Sequence, residues 1–255
     1  AAVAALPLAD TADGAWRLLY VLSLAWLPVA FVLQKNVRET ARFVRVQTIA
    51  DVARTAKVSR SRFTTQVVAA FLTSVFIGSA SVYLVNYLRD VRNYDALGVS
   101  LFTIGTALPA GAGLILGGRL ADLRGRRIAG AASLAAGSLL VAASYATSGA
   151  TMWLTEMVGG VCLGIAYPAL GVYRGEMFPT ARRGGGAATV TASNLIGGSV
   201  GLIFAGQLLD AGWSYARVMG MLALAPLIVS VLVVVSFPET AHRELEEISP
   251  DDGGA

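Results

Sequence analysis

Seven stretches of this sequence are each long and apolar enough to cross a lipid bilayer. A spanning helix needs roughly 20 apolar residues, and such runs cover 16–34, 64–88, 97–117, 128–147, 152–173, 187–209 and 215–237. Only 14% of the residues are charged, whereas a soluble domain usually carries about 25% to cover its surface. The sequence therefore predicts an all-α membrane protein, a polytopic transmembrane helical bundle of seven spans surrounded by the lipid bilayer.

The arginines and lysines predict how the chain is threaded through the membrane. Sixteen of the twenty lie in segments 35–62, 119–127 and 174–186 or at Arg243, and the other four lie on the opposite side of the spans. Basic loops stay in the cytoplasm, so we expect the N-terminus of this chain outside and the C-terminus inside a cell (inner or plasma) membrane. These clusters then set topology, and we expect no nucleic acid as a partner.

The side chains offer little for catalysis or metal binding. There is one cysteine, Cys162, and one histidine, His242, so a disulfide within the chain and a Cys-based metal site are excluded. The sequence also lacks paired carboxylates within one span and a Ser–His arrangement. We therefore expect no enzyme, no catalytic residues, no metal and no cofactor.

A seven-span receptor or photoreceptor is the alternative, since seven spans with an outer N-terminus fit that class. The last span contains no lysine for a retinal Schiff base, and no acidic–Arg–aromatic triplet ends the third span. Both absences make this alternative the weaker one.

The first and last spans resemble each other. Each has a tryptophan near its start, a proline inside and the triplet ETA after it: Trp16, Pro28 and 39–41, against Trp213, Pro226 and 239–241. Two equivalent helices suggest the last members of two repeated halves, in which case five helices of the first half are absent from this sequence. The other interpretation is coincidence, because interfacial tryptophans and prolines in spans are common.

The repeat divides the chain into four parts. Residues 1–34 are an outer loop and the last helix of the N-terminal half, and 35–62 are a cytoplasmic linker, whose basic part 44–62 we expect to form short surface helices. Residues 63–238 are a C-terminal six-helix bundle, and 239–255 are a cytoplasmic tail. Residues 119–127 are expected to form a tight basic loop between the third and fourth spans.

Four motifs carry a resemblance to the major facilitator superfamily, within it to the sugar-porter and metabolite:proton symporter branches. GRLADLRGRR at 118–127 resembles the G-x-L-a-D-r-x-G-r-R loop between helices eight and nine. YRGEMFPTARRG at 173–184 resembles the Y-x-x-E-x-[FY]-P-T-x-x-R-g loop between helices ten and eleven. RETARF at 38–43 resembles the P-E-S-P-R-F element, and FPET at 237–240 with LEEI at 245–248 resembles the P-E-T…L-E-E-I tail.

The resemblance implies a secondary active transporter that moves a small organic solute by alternating access, with proton coupling. The paired glutamines of the sugar-porter helix seven are missing, and only Gln66 stands there. The solute is therefore left open among a carboxylate, a sugar and a related metabolite. The partners implied are this solute, protons, the bilayer and the N-terminal half of the same transporter.

The resemblance also implies two conformational switches at the cytoplasmic ends. The first is a latch between the halves, formed by the loop's acid, arginines and glycines: Asp122, Arg126, Arg127, Gly118 and Gly125. From the residues alone, Gly117 and Gly118 permit close helix approach, and the alternative to a latch is a plain basic turn with a solvated Asp122. The second is a charge cluster of Glu176 and Arg182 with Glu39, Arg42 and Glu239, for which the alternative is a set of solvated loops.

Glu156 is the most informative acid within a span, because an acid inside a membrane is costly and usually functional. At helical spacing it shares a small or polar stripe with Trp153, Gly160, Gly164, Tyr167, Gly171 and Arg174. One interpretation is a face lining the solute path, with Glu156 as a proton or cation site and Trp153 and Tyr167 as walls. The other is a Gly160/Gly164 packing seam. Further path candidates are the polar residues Tyr83, Asn86 and Asn194.

Overall fold

The structure, a computed structural model, describes Leu24 and residues 26–36, 60–173, 177–178 and 183–241. These residues form helices and turns, with no strand among them. The helices are α1 Leu27–Asn36, α2 Arg60–Asn86, α3 Ala96–Arg124, α4 Arg126–Ser144, α5 Gly149–Gly171, α6 Arg183–Asp210, α7 Tyr215–Leu222 and α8 Leu224–Ser236. A π-helical segment, Tyr87–Val91, continues α2.

Six stretches within the described residues are long and apolar enough to cross a membrane: α2 with its π-helical extension, α3, α4, α5, α6, and α7 together with α8. They correspond to the predicted second to seventh spans. Nine of the nineteen residues of the predicted first span, 16–34, lie outside the described residues, so the count of seven stays a prediction. Residues 27–34 of α1 fall in this span, and each described side chain of α1 is exposed.

The predicted loop over 119–127 is wrong. Helix α3 continues to Arg124, and α4 begins at Arg126, so Gly125 alone forms the turn. No glycine or proline lies between Gly118 and Gly125 to stop the helix. Gly125 reverses the chain with φ of +91°, a conformation that L side chains rarely adopt. The same end of the bundle, called the Gly125 end below, also contains residues 237–241, which follow α8.

Small residues let α3 and α5 pack closely. A Cβ on Gly117 would lie 2.6 Å from the Ile165 carbonyl oxygen, and one on Gly113 would collide with the Val161 carbonyl. The expectation that Gly118 shares this role is wrong, since a Cβ there would meet nothing within 4 Å. Helices α2 and α6 form a second close pair, and α8 packs against α2 and α4.

The prolines within spans are accommodated as expected in lipid. Pro109 lies inside α3 and Pro168 inside α5. The single predicted span over 215–237 is divided at Ala223 into α7 and α8. Pro226 explains the break, because its nitrogen has no hydrogen to donate to the carbonyl four residues earlier.

The buried core consists of two clusters, one towards each end of the bundle. At the end opposite Gly125, called the Tyr145 end below, the cluster contains Phe76, Leu88, Phe102 and Met219 together with Tyr145. Towards the Gly125 end the cluster contains Leu134, Tyr173, Val229, Val233 and Phe237. A cavity, described below, adjoins this second cluster.

Candidate functional site

The Glu239 carboxylate caps the first turn of α4. Its Oε1 accepts a hydrogen bond from the backbone N–H of Arg126 at 2.9 Å, and its Oε2 accepts one from that of Arg127 at 3.2 Å. The backbone N–H groups of Thr240 and Ala241 also donate to Oε1, both at 3.1 Å. The first N–H groups of a helix have no acceptor within that helix. Glu239, which follows the last helix, supplies acceptors for two of those of α4.

Gly125 leaves the space that this carboxylate occupies. A Cβ at Gly125 would lie 2.7 Å from Glu239 Oε2, so any larger residue collides with the cap. The guanidinium of Arg126 donates to Thr240 Oγ1 at 3.2 Å. The end of α8 is therefore bound to the α3–α4 turn through both backbone and side chain.

Hydrogen bonding changes the acidity of Glu239. Partial burial raises the pKa of this carboxyl, but the backbone N–H groups of Ala241, Arg126, Arg127 and Thr240 together lower it by more. The pKa of Glu239 therefore lies below its usual range, and the cap is ionised at neutral pH.

Asp122, the acid of the predicted latch, is far less engaged. Its side chain is 67% exposed, and its closest described ion pair is with Arg126 at 3.8 Å. It lies on the last turn of α3, one helical turn before Gly125. The structure thus places Glu239, rather than Asp122, as the acid that holds the turn together.

The predicted second charge cluster is only partly visible. Glu39, Arg42, Glu176 and Arg182 lie outside the described residues. Tyr173, at the end of α5, donates a hydrogen bond to the Pro238 carbonyl at 2.9 Å, and its ring meets that of Phe237 with centroids 5.0 Å apart. These contacts connect the end of α5 to the residues that lead into Glu239.

Glu156 faces α4 near the Tyr145 end. Ser144 Oγ lies 2.8 Å from Glu156 Oε2, and Ser144 is itself buried. The carboxyl is half-buried, and this hydrogen bond joins α5 to the end of α4. Such an arrangement can hold an acid inside a span, where it can bind or release a proton.

A network of tyrosines lies beside Glu156 and was not predicted from the sequence. Tyr145 donates to the Ala80 carbonyl, and Tyr87 donates to the Tyr145 carbonyl at 2.9 Å. Arg92 donates to the Tyr87 hydroxyl at 2.9 Å and also to the Thr147 carbonyl. These bonds join α2 to the end of α4. Three of the four basic residues predicted outside, Arg89, Arg92 and Arg217, lie at this end.

The predicted stripe on α5 meets several different environments. Trp153 packs against Phe102 of α3, with ring centroids 4.7 Å apart. Gly160 and Gly164 face Ala110 of α3, so they form a packing seam. Tyr167 and Gly171 of this stripe line the cavity described next.

Three other path candidates are also separated from one another. Tyr83 donates to the Leu202 carbonyl of α6 at 3.2 Å and therefore joins two helices. Asn86 is exposed at the Tyr145 end. Asn194 lines the cavity together with Tyr167.

The cavity lies between α2, α5 and α6, with a floor from α4 and α8. Its volume is about 120 Å³. Tyr167 and Ile77 are exposed at its edge, and Leu134, Val229 and Val233 are buried at its floor. Polar side chains are Gln66, Thr73, Tyr167 and Asn194, and none of the lining residues is charged.

Gln66 is the one buried amide among these residues. The residue is 4% exposed, its Nε2 donates to the sulfur of Met177 at 3.2 Å, and its Oε1 is buried with no hydrogen-bond partner among the described residues. A sulfur is a weak acceptor, so this amide makes one weak hydrogen bond. The sequence placed Gln66 in the first helix of the bundle, but its burial follows only from the packing of helices distant in the chain.

The comparison with known families agrees with this architecture. In the described part of the chain, no group of three or more His, Cys, Asp or Glu comes together as a metal site would require. No individually curated protein matches the chain. The sequence profile of the Major Facilitator Superfamily matches residues 63–252, which include all six candidate spans except the first three residues of α2. This chain therefore belongs to the major facilitator superfamily and is an integral membrane protein of the transporter class.

Proposed function

We propose that this protein is part of a secondary active transporter that moves a small organic solute by alternating access. The observation that supports this best is the cavity between α2, α5 and α6, which is open at one side and contains the path candidates Tyr167 and Asn194. Pockets between helices of a bundle are common solute sites. Membership of a transporter family makes the receptor or photoreceptor alternative the less favoured one.

Transport of the solute is coupled to proton movement through Glu156. This carboxyl is half-buried within a span and has a hydroxyl partner 2.8 Å away on α4. A carboxyl in such a site exchanges its proton when the surrounding helices move and change its access to water. Trp153, Tyr83 and Asn86 lie, like Glu156, in the half of the bundle towards the Tyr145 end.

The Gly125 end lies in the cytoplasm and carries the switch between the two access states. Asp122 is exposed there and available to a partner, while Gly125, Arg126, Arg127 and Glu239 hold the turn that presents it. The partner is a second helical half, to which the exposed α1 also belongs. The complete protein lies in the cell membrane with α8 ending inside.

Proton coupling can be tested in proteoliposomes that contain the complete transporter. We expect an inward proton gradient to drive uptake of at least one labelled solute from a panel of small carboxylates, sugars and neutral metabolites, and a protonophore to abolish its accumulation. The variant Glu156→Gln should keep exchange of solute without a gradient but lose gradient-driven uptake. Thr155→Ala, next to it on α5, is a matched control that should retain both. Accumulation that persists with the protonophore would refute the coupling.

The half-transporter part needs a separate experiment. We expect the 255 residues alone to insert into membranes without catalysing uptake in liposomes. Supplying a second polypeptide with the N-terminal helices should restore uptake. Robust uptake by the 255 residues alone would refute the requirement for a second half.

A further inference from the structure

We propose that the cavity beside Gln66 binds an uncharged, mainly apolar group of about the size of a phenol, recognised through one hydrogen bond to the Gln66 amide. This inference rests on the proposed function, because it names the chemical class of solute that enters the same cavity. It narrows the earlier choice among carboxylates, sugars and related metabolites to aromatic alcohols and similar neutral molecules.

The lining excludes a charged group. None of the described residues that line the cavity carries a charge, and its floor consists of Leu134, Val229, Val233 and Phe237. An ion moved from water into such surroundings without a counter-charge loses several kcal/mol of hydration. A carboxylate therefore binds here much less well than a neutral group of the same shape.

The lining also argues against a sugar. A sugar carries hydroxyl groups around its whole ring, and each needs a partner when it leaves water. The cavity offers four polar side chains, and Tyr167 and Asn194 stand near its open side. A ring with one polar group matches this pattern better than a ring with five.

The volume of the cavity limits the size of the group that can bind in it. An apolar cavity of about 150 Å³ accommodates benzene, and this cavity has about 120 Å³ and is open on one side. A single aromatic ring therefore fits with its edge near the opening, whereas a two-ring compound would extend beyond it.

Gln66 provides the hydrogen bond that selects the polar group. Among the described residues, its Oε1 is buried without a hydrogen-bond partner, and its Nε2 has the Met177 sulfur as its acceptor. The terminal torsion of glutamine is broad, so a small rotation away from the weak sulfur contact presents the amide to a ligand. A hydroxyl can both donate to and accept from this amide.

Cysteine protection tests the proposal directly with the 255-residue chain in nanodiscs. The native thiol is removed by Cys162→Ser, and Ala70→Cys places a single thiol on the cavity wall. Phenol should slow the reaction of this thiol with N-ethylmaleimide in a saturable way, and benzoate at the same concentration should not. Ser148→Cys, outside the cavity, controls for general effects of phenol on the membrane or the reagent.

The role of Gln66 is tested in the same background. Gln66→Leu should raise the phenol concentration that gives half-protection about 2- to 10-fold, since it removes one hydrogen bond. It should leave protection by toluene unchanged. Gln207→Leu, an exposed glutamine of α6, is the matched control, and an unchanged reaction rate without ligand shows that the cavity has kept its shape.

The outcomes separate this proposal from the proposed function. Absence of protection by phenol, equal protection by benzoate, or an unaltered phenol dependence in Gln66→Leu would overturn the proposal. Protection by phenol, with no gradient-driven uptake of phenol or of any other solute by the complete protein, would support the binding site and refute transport. Uptake of carboxylates or sugars without protection by phenol would support transport and refute the binding site for a neutral aromatic group.

Discussion

At the scale of single residues, the Glu239 carboxylate determines how the α3–α4 turn is held. It accepts hydrogen bonds from two N–H groups of α4, from residues 113 and 112 positions earlier in the chain. A negative charge at a helix N-terminus is stabilised by the helix dipole as well as by these bonds. The carboxylate therefore binds the N–H groups of its own neighbours, Thr240 and Ala241, and also joins the end of α8 to the start of α4.

The first prediction concerns the charge of this cap. We expect Glu239→Gln to reduce stability at neutral pH by about 0.3–1 kcal/mol, the usual value for a charge near a helix end. Folding lowers the pKa of Glu239, so its stabilisation is complete above the pKa of the unfolded chain. It is lost as the pH falls through the lower pKa of the folded protein.

Thermal unfolding of the purified protein in detergent measures this effect. As the pH falls below the ordinary pKa of a glutamate, about 4.3, the wild type should progressively lose the advantage that it has over Glu239→Gln at neutral pH. Asp122→Asn, which changes an exposed acid at the same end, should follow the wild-type pH profile. Parallel pH profiles for wild type and Glu239→Gln would show that the charge does not stabilise the turn.

The second prediction concerns the backbone beneath the cap. Gly125 has a positive φ, and a Cβ there would press on Glu239 Oε2, so Gly125→Ala should cost at least about 1–3 kcal/mol. Gly118→Ala is the control, because its Cβ meets nothing and α3 gains about 0.5–1 kcal/mol from the replacement. Chemical denaturation in mixed micelles should give opposite signs for the two variants, and equal signs would contradict the assigned backbone role.

At the scale of whole helices, α3 and α5 are held together by close backbone approach rather than by polar contacts. Gly117 and Gly113 on α3 face the carbonyl oxygens of Ile165 and Val161, and Gly164 on α5 faces Ala110. In a bilayer, where burial of apolar side chains gives little driving force, such packing carries much of the association. The stripe on α5 is therefore a packing seam at Gly160 and Gly164, while Tyr167 on the same helix lines a cavity.

The third prediction tests this seam. Gly117→Ala places a Cβ 2.6 Å from the Ile165 carbonyl oxygen, so the helices must separate, at a cost of about 1–3 kcal/mol. Gly111→Ala, on an open part of the same helix, should be neutral or slightly stabilising. The fraction folded in denaturant titrations should distinguish them, and an equally stable Gly117→Ala would show that α3 and α5 can move apart without loss.

Some of these features could be predicted from the sequence and others could not. The six spans were predictable because an apolar run of about twenty residues is a local signal. The helix boundaries moved by at most four residues, except that the end of α3 moved by seven. The helical course through Gly118–Arg124 was missed because charges suggested a loop, while the backbone there contains no residue that stops a helix. The contacts of Glu239, Gln66 and Tyr145 depend on residues far apart in the chain, which periodicity does not reveal.

At the scale of the whole molecule, the arginines of the Gly125 end are explained by membrane topology, but the exposed acid Asp122 is not. Asp122 has little to hold within the described structure, since its ion pair with Arg126 is long and its side chain is 67% exposed. An exposed ion pair of this kind contributes about 0–1 kcal/mol. Removal of its charge should therefore leave the fold of this bundle unchanged.

The fourth prediction separates folding from transport at this position. In the complete transporter, Asp122→Asn should insert and unfold like the wild type but transport about tenfold more slowly. A latch that stabilises one access state by about 1.4 kcal/mol changes its population about tenfold. Asp210→Asn, an exposed acid at the Tyr145 end, should have no effect on transport.

The measurement needs both initial uptake rates and the accessibility of a single cysteine on each side of the membrane, because a latch acts on populations and not on solute binding. Asp122→Asn should shift the ratio of the two accessibilities and leave the solute concentration for half-maximal binding unchanged within one access state. A variant that transports normally would show that the GRLADLRGRR segment is a helix end and a glycine turn with no role as a switch. A variant with weaker solute binding but unshifted accessibility would move the role of Asp122 from the switch to the solute path.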